Sequence, residues 1–186
     1  MRRPKIMREL GPDQIYNHLD GVNSIASKTG LFQNLRRYCE SNGLDVSQFV
    51  PETFVVRIGR DEVEEKLSDF EEFRRVFGDR IWILKPGENS NRGHGVQVLD
   101  NIDKILNVID SQYVGTYKTV VLQRYIENPY LISKRKFDIR VFCLLTYDRQ
   151  MLRAFYYDEG YVRTSCKEYS LKNIESRYVH LTNDAV

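Results

Sequence analysis

The stretch WILKPGENSNRGHGVQV, residues 82–98, joins a strand of buried character to a soft polar loop. The apolar run Ile81–Leu84 stops at Lys85 and Pro86. Gly87, Gly93 and Gly95 follow before apolar residues return at Val96 and Val98. Glycines let a backbone come close to a ligand and turn its N–H groups inward. Phosphate oxygens take such donors together with a cation, and Lys85 at the strand end and Arg92 inside the loop are the candidates. The loop is not a Walker loop, because it lacks the closing lysine–serine/threonine pair. A plain β-hairpin with a polar tip accounts for the same residues equally well.

A second pattern lies in KRKFDIRVFCLL, residues 134–145. Side chains alternate faces along a strand. Lys136, Asp138 and Arg140 therefore share one face at steps of roughly 6–7 Å. Phe137, Ile139, Val141, Cys143 and Leu145 share the other, which we expect to be core. The charged face is either a polar floor beneath a charged ligand or a solvated face with ion pairs of ~0–1 kcal/mol each. VVLQRYIENP, residues 120–129, reads as a buried strand running into Gln123, Arg124, Tyr125 and Ile126. EGYVRTSCKEYSL, residues 159–171, puts Arg163 on a short strand, and HLTN, residues 180–183, reads as strand with His180 alternating with Thr182 and Asn183. A lone histidine such as His180 has an ordinary structural reading. His18 and His94 have no zinc-type spacing to a cysteine or second histidine. No serine stands in a nucleophile-elbow context, and Glu64-Glu65 and Glu71-Glu72 read as a solvated helix face.

The elements that position these residues follow from periodicity. Leu31, Leu35 and Tyr38 predict one face of a helix over 31–42, with Gly43 as its stop. A short strand is expected over 53–56. In residues 61–77, Val63, Leu67, Phe70 and Phe77 recur at helical spacing. Acids crowd its first turns, Arg74 and Arg75 come late and Gly78 follows, the charge order a helix dipole favours. Residues 101–110 form a further helix, 127–135 a loop around Pro129, 137–147 a long strand and 152–157 its hairpin partner. Helices and strands first, then a strand-rich half, predict an α+β fold with much antiparallel sheet.

The bulk numbers exclude several classes. The 186 residues are 41% hydrophobic, enough for a core in one domain or two small lobes. A net charge of +2 supplies no global field for nucleic acid. No apolar run approaches the ~20 residues of a membrane-spanning helix. MRRPKIMRELGPD at the start is basic but has no apolar segment behind the charges, so we expect no secretory signal. Cys39, Cys143 and Cys166 are odd in number and far apart, and read as thiols in a reducing compartment. Nothing caps the last stretch, YVHLTNDAV, which reads as the middle of an element and suggests a truncated chain.

In their order, WILKPGENSNRGHGVQV, LQRYIENPYLISKRKFDIRVF, EGYVRTSCKEYSL and VHLTNDAV resemble the tubulin tyrosine ligase-like family, whose catalytic domain is an ATP-grasp fold. NHLDGVNSIASKTGLFQNL is similar to the family's stretch ahead of the ATP site, so the resemblance runs from about residue 17 to the end. It implies an N-terminal extension over 1–16, a pre-ATP lobe over 17–80, and the central and incomplete C-terminal lobes over 81–186. It implies that Lys85 reaches an ATP phosphate, that the loop with Arg92 and Gly93 folds over the phosphates, and that Gln123, Arg124, Tyr125 and Ile126 line the adenine. Lys136, Phe137 and Asp138 would sit at the nucleotide, with Thr182 and Asn183 contacting it from the far strand. Arg140 and Arg163 would be catalytic, holding an acyl-phosphate or the carboxylate of the incoming amino acid.

The activity implied is ATP-dependent ligation of an amino acid to tubulin tails through an acyl-phosphate. Its partners would be microtubules and a free amino acid, its setting the cytoplasm and cytoskeleton, with cilium or flagellum as a special case. The resemblance does not choose between tyrosine, glutamate and glycine. It places the Mg²⁺ ligands after HLTN, beyond the last residue, so this chain alone is expected to be inactive. A catalytically dead member that binds microtubules and a ligase for a non-tubulin carboxylate are the alternatives. Arg36-Arg37, Arg74-Arg75 and Lys134-Arg135-Lys136 are the candidate basic surfaces for an acidic tail.

Overall fold

A computed structural model describes residues 11, 14, 17, 19–58, 63–88, 90–113, 119–148 and 151–183. Strands β1 (Thr53–Arg57), β2 (Trp82–Pro86), β3 (Gln97–Leu99) and β4 (Thr119–Arg124) form one sheet. Its order is β1-β4-β2-β3 and every neighbour is antiparallel. The second sheet is β5-β6-β7, from Leu131–Ile132, Arg135–Asp148 and Met151–Thr164.

Alternation along β2 and β4 divides the first sheet into two faces. Trp82 and Leu84 join Val120 and Leu122 on one face and bury there with Phe73, Leu99 and Ile105. Phe73 comes from helix α3 (Val63–Val76) and Ile105 from α4 (Ile102–Val108), if α1 is Asn23–Ala26 and α2 Lys28–Ser41. The Phe73 and Trp82 rings meet edge-on at 4.9 Å and 83°, and the Trp82 indole donates to the Phe77 carbonyl at 3.2 Å. Ile83 and Tyr125 turn to the other face with Val98. Lys85 and Gln123 share that face by the same period of two, so the strand that anchors the core also presents a lysine away from it.

Several expectations are corrected. Helix α2 is capped by Ser27, whose side chain accepts the Gly30 N–H, but its buried stripe is not Leu31–Leu35–Tyr38. Leu31 is 49% and Tyr38 59% exposed, while Phe32 and Cys39 are buried. Phe32 and Cys39 are also two turns apart, and Phe32 packs on Val55 and Val121. The helix offers two stripes, and the sheet selects one. The predicted loop 127–135 contains β5 and a two-residue turn, Ser133-Lys134, both at positive φ (49° and 62°), as a type I′ hairpin requires.

The short strand expected to carry Arg163 is not separate but the end of β7. The register shifts there: Arg140 faces Tyr161, and Phe142 faces Tyr157. A Cβ on Gly160 would stand 2.5 Å from the Arg140 carbonyl oxygen, so this bulge admits only glycine. The expected core face of β6 is uncovered, with Ile139 61% and Val141 50% exposed and Cys143 exposed. HLTN is not strand either. His180 ends the one-turn helix α5 (Arg177–His180), and residues 181–183 run on without pairing. No helix among the described residues is long and apolar enough to cross a membrane. His18 and the turn residues 149 and 150 lie outside the described residues.

Candidate nucleotide site

The face of the first sheet that carries Lys85 meets the start of β6 and the segment after α5 in a cleft of ≈ 370 Å³. Lys85, Arg92, Gly93, Lys136, Phe137, Asp138, Thr182 and Asn183 all line it, drawn from four separate stretches of chain. Lys28, at the start of α2, lines it as well.

The loop after β2 is built rather than slack. Arg92, Gly93 and Gly95 have φ of 52°, 73° and 72°, and the N–H groups of His94 and Val96 donate back to the Asn91 and Gly93 carbonyls. Lys28 Nζ ties it down at the Ser90 carbonyl (3.1 Å) and Arg177 at the Gly93 carbonyl (3.3 Å). A Cβ on Gly93 would stand 3.1 Å from Asn183 Oδ1 and 3.2 Å from Leu181 Cδ1. Glycine there lets the loop close on the segment that carries Thr182 and Asn183.

Three ammonium groups converge on the cleft, and their hydrogen bonds go to neutral acceptors. Lys85 donates to Gln123 Oε1 at 2.7 Å. Gln123 Nε2 donates to Thr53 Oγ1 at 2.8 Å, and Thr53 donates to the Pro51 carbonyl at 2.6 Å. Lys136 donates to the Tyr125 hydroxyl and the His180 carbonyl. Burial, then repulsion from Lys136 and Lys28, pushes Lys85 down to about 8. Burial pushes Lys136 down to about 8, against the pull of Asp138. Lys28 is lowered by burial, with Glu88 opposing. Burial lowers all three, and at Lys85 the two neighbouring lysines add to it, so an anion in the cleft is favoured.

Among the described residues that line the cleft, the one acidic side chain is committed. Asp138 faces Arg163 directly across β6 and β7 and takes a two-pronged grip from it, Nε to Oδ1 at 2.8 Å and Nη2 to Oδ2 at 2.7 Å. Thr182 adds a hydroxyl to Oδ2. Burial alone would raise the Asp138 carboxyl, but bonds from Arg163 and Thr182 and the charges of Arg163 and Arg140 hold it below its ordinary value. Among the described residues, no group of three or more His, Cys, Asp or Glu is placed to hold a metal ion. With Asp138 spent on Arg163, the described residues do not fit a Mg²⁺ site.

Of the other residues expected at the nucleotide, Gln123 reaches the cleft through Lys85, and Tyr125 through Lys136. Arg124 and Ile126 line a different hollow, with Glu52 and Phe54. Arg140 is exposed on β6, near enough to Asp138 to act on its charge. Sequence reasoning missed Lys28, which no local pattern links to Lys85; only its place in the family-like stretch NHLDGVNSIASKTGLFQNL pointed to it. His180 fits its structural reading, buried and bonded to Tyr125 and the Asn173 carbonyl, and it also lines the cleft. Lys134-Arg135-Lys136 does not form one basic patch. Lys134 pairs with Glu168 at 3.9 Å, Arg135 donates to the Ser165 and Cys166 carbonyls, and Lys136 turns into the cleft.

Comparison with known proteins bears on the family and the fold. The model of the tubulin-tyrosine ligase family matches residues 5–186. "Tubulin glycylase 3D" of Tetrahymena thermophila is 44% identical over 108 residues, 58% of this chain and 10% of that protein. The human "Probable tubulin polyglutamylase TTLL2" is 29% identical over 94% of this chain and 28% of its own length. Human "Tubulin polyglutamylase TTLL7" is 30% identical over 96% of this chain and 19% of its own. The chain thus spans well under a third of the length of these relatives. Among solved structures, the C-terminal domain of K. lactis Pby1, described as an ATP-grasp enzyme interacting with the mRNA decapping enzyme Dcp2, superposes with a TM-score of 0.56 at 21% identity, covering 91% of this chain and 49% of that one. The chain therefore belongs to the tubulin-tyrosine ligase family and carries the antiparallel α+β architecture of an ATP-grasp fold.

Proposed function

We propose that the cleft binds the polyphosphate of ATP and that the chain supplies this site to an ATP-dependent ligase joining a free amino acid to a carboxylate of tubulin. One observation carries the reading: Lys28, Lys85 and Lys136 converge on one cleft, and their hydrogen bonds there go only to neutral acceptors. An anion with several oxygens supplies the missing charge. The glycine-bearing loop, held shut by Lys28 and Arg177, covers that anion.

In such a reaction a carboxylate oxygen attacks the γ-phosphorus and ADP leaves, giving an acyl-phosphate. The amine nitrogen of the amino acid then attacks the carbonyl carbon, inorganic phosphate leaves, and the nitrogen loses a proton. The three lysines orient the phosphates and screen their charge. Arg140 and Arg163 are our candidates for gripping the acyl-phosphate or the amino acid's carboxylate, Arg163 with its orientation set by Asp138. Tubulin as substrate, with a place on the cytoskeleton, is our reading, supported by relatives that are tubulin glycylases and polyglutamylases. ATP titration of the chain tests the site. We expect Lys85→Ala to weaken binding at least about tenfold; unchanged affinity in that variant refutes the assignment.

A further inference from the structure

Lys136 is held differently from the other two lysines. Its Nζ donates to the Tyr125 hydroxyl at 3.2 Å and to the His180 carbonyl at 3.0 Å, and it stands 4.6 Å from the centre of the Tyr125 ring. The Tyr125 hydroxyl lies 2.8 Å from His180 Nδ1, and His180 Nε2 lies 3.1 Å from the Asn173 carbonyl oxygen. A carbonyl only accepts, so Nε2 carries the proton. A neutral imidazole protonated at Nε2 has a bare Nδ1, to which Tyr125 donates. The lone pairs of the hydroxyl are then left for Lys136. Every proton in the chain runs one way, from ammonium to hydroxyl to imidazole to carbonyl.

The surroundings enforce this order. Tyr125 and His180 are 5% and 2% exposed. Tyr169 packs edge-on against the imidazole at 5.7 Å and sends its own proton to the Glu127 carbonyl. Burial lowers the His180 pKa against the pull of the Asn173 carbonyl, and the charge of Lys136 lowers it further. The other titratable groups near it are Lys104, Glu175 and Arg177, which share with it the hollow on its far side. A second proton on His180 would put a donor at Nδ1, facing the Tyr125 hydroxyl that now donates to it, and a positive charge beside Lys136.

We propose that Tyr125 and His180 are positioning residues: by taking one N–H of Lys136 through the side-chain chain and another at the His180 carbonyl, they aim its third N–H into the nucleotide cleft. The inference rests on the reading of that cleft as an ATP site. It makes ATP affinity depend on a chain of hydrogen bonds that ends at Asn173, outside the cleft.

The test combines ¹⁵N NMR of the histidines with ATP titration of the full chain. We expect His180 in the free protein to be neutral with its proton on Nε2. Tyr125→Phe and His180→Leu should each weaken ATP binding about tenfold. His180→Asn, which keeps an acceptor near the Nδ1 position, should stay within about threefold of wild type. The double variant Tyr125→Phe/His180→Leu should bind no more weakly than either single one, because the chain is already broken. If His180→Leu does not fold, Tyr125→Phe and His180→Asn still decide. An Nδ1–H tautomer overturns the inference. So does a Tyr125→Phe protein that binds ATP like wild type while Lys85→Ala does not, and so does a loss in His180→Asn equal to that in Tyr125→Phe. If Lys85→Ala itself binds ATP normally, the nucleotide reading falls, and this inference with it.

Discussion

The four-stranded sheet and the β6–β7 hairpin are both antiparallel and rich in apolar residues, yet they end in opposite conditions. In the sheet, Trp82, Leu84, Val120 and Leu122 are buried under α3 and α4. In the hairpin, Phe142, Leu144, Phe155 and Tyr157 are 46%, 61%, 51% and 54% exposed. Alternation decides which side chains share a face, not whether anything comes to lie on that face. The candidate cleft forms where the two regions meet, with Lys85 from the covered sheet and Lys136 from the root of the hairpin.

The contrast can be broken from either side. The largest effect is expected at Trp82, fully buried among Phe54, Phe73 and Phe77. Trp82→Ala should cost about 3–5 kcal/mol in denaturant unfolding; a cost below about 1 kcal/mol would mean that the sheet core does not hold the fold. Gly160→Val forces a side chain into the Arg140 carbonyl and should cost about 1–3 kcal/mol, with hydrogen exchange rising at the bulge.

The seam should respond to pH. Lys85 and Lys136, near 8 in the folded protein against an ordinary 10.5, regain protons when an anion binds. ATP affinity should therefore fall as pH rises above about 8, by up to about tenfold per pH unit for each lysine involved. Calorimetry in buffers of different ionisation enthalpy should show proton uptake. Without ligand the sign reverses. The unfolded chain binds more protons between about 8 and 10.5, so these two lysines add stability as pH rises through that window. The smallest effect belongs to the hairpin: Leu144→Ser should change stability by no more than about 0.5 kcal/mol.

Much of this was legible in the sequence because some segments carry their own punctuation. The strand ending at Lys85, the glycine loop and the charged face of β6 are each contained in a dozen residues, and the structure brings their cations together. What escaped depends on distant partners. Phe32 outranks Leu31 because Val55 and Val121 lie beneath it. Lys28 joins Lys85 because the Ser90 carbonyl, 62 residues away in sequence, receives its proton. The exposure of Ile139 and Val141 was hidden for the same reason, since no strand states what will pack on it.

The bulge at Gly160 gives the hairpin a mechanical character. Its proximal part holds Asp138 against Arg163, and the register changes just beyond, between Arg140 and Phe142. The distal part is thus a cantilever clamped at one glycine. The pairing of Asp138 with Arg163 is fixed on the near side of that glycine, so its register does not depend on the length of arm beyond.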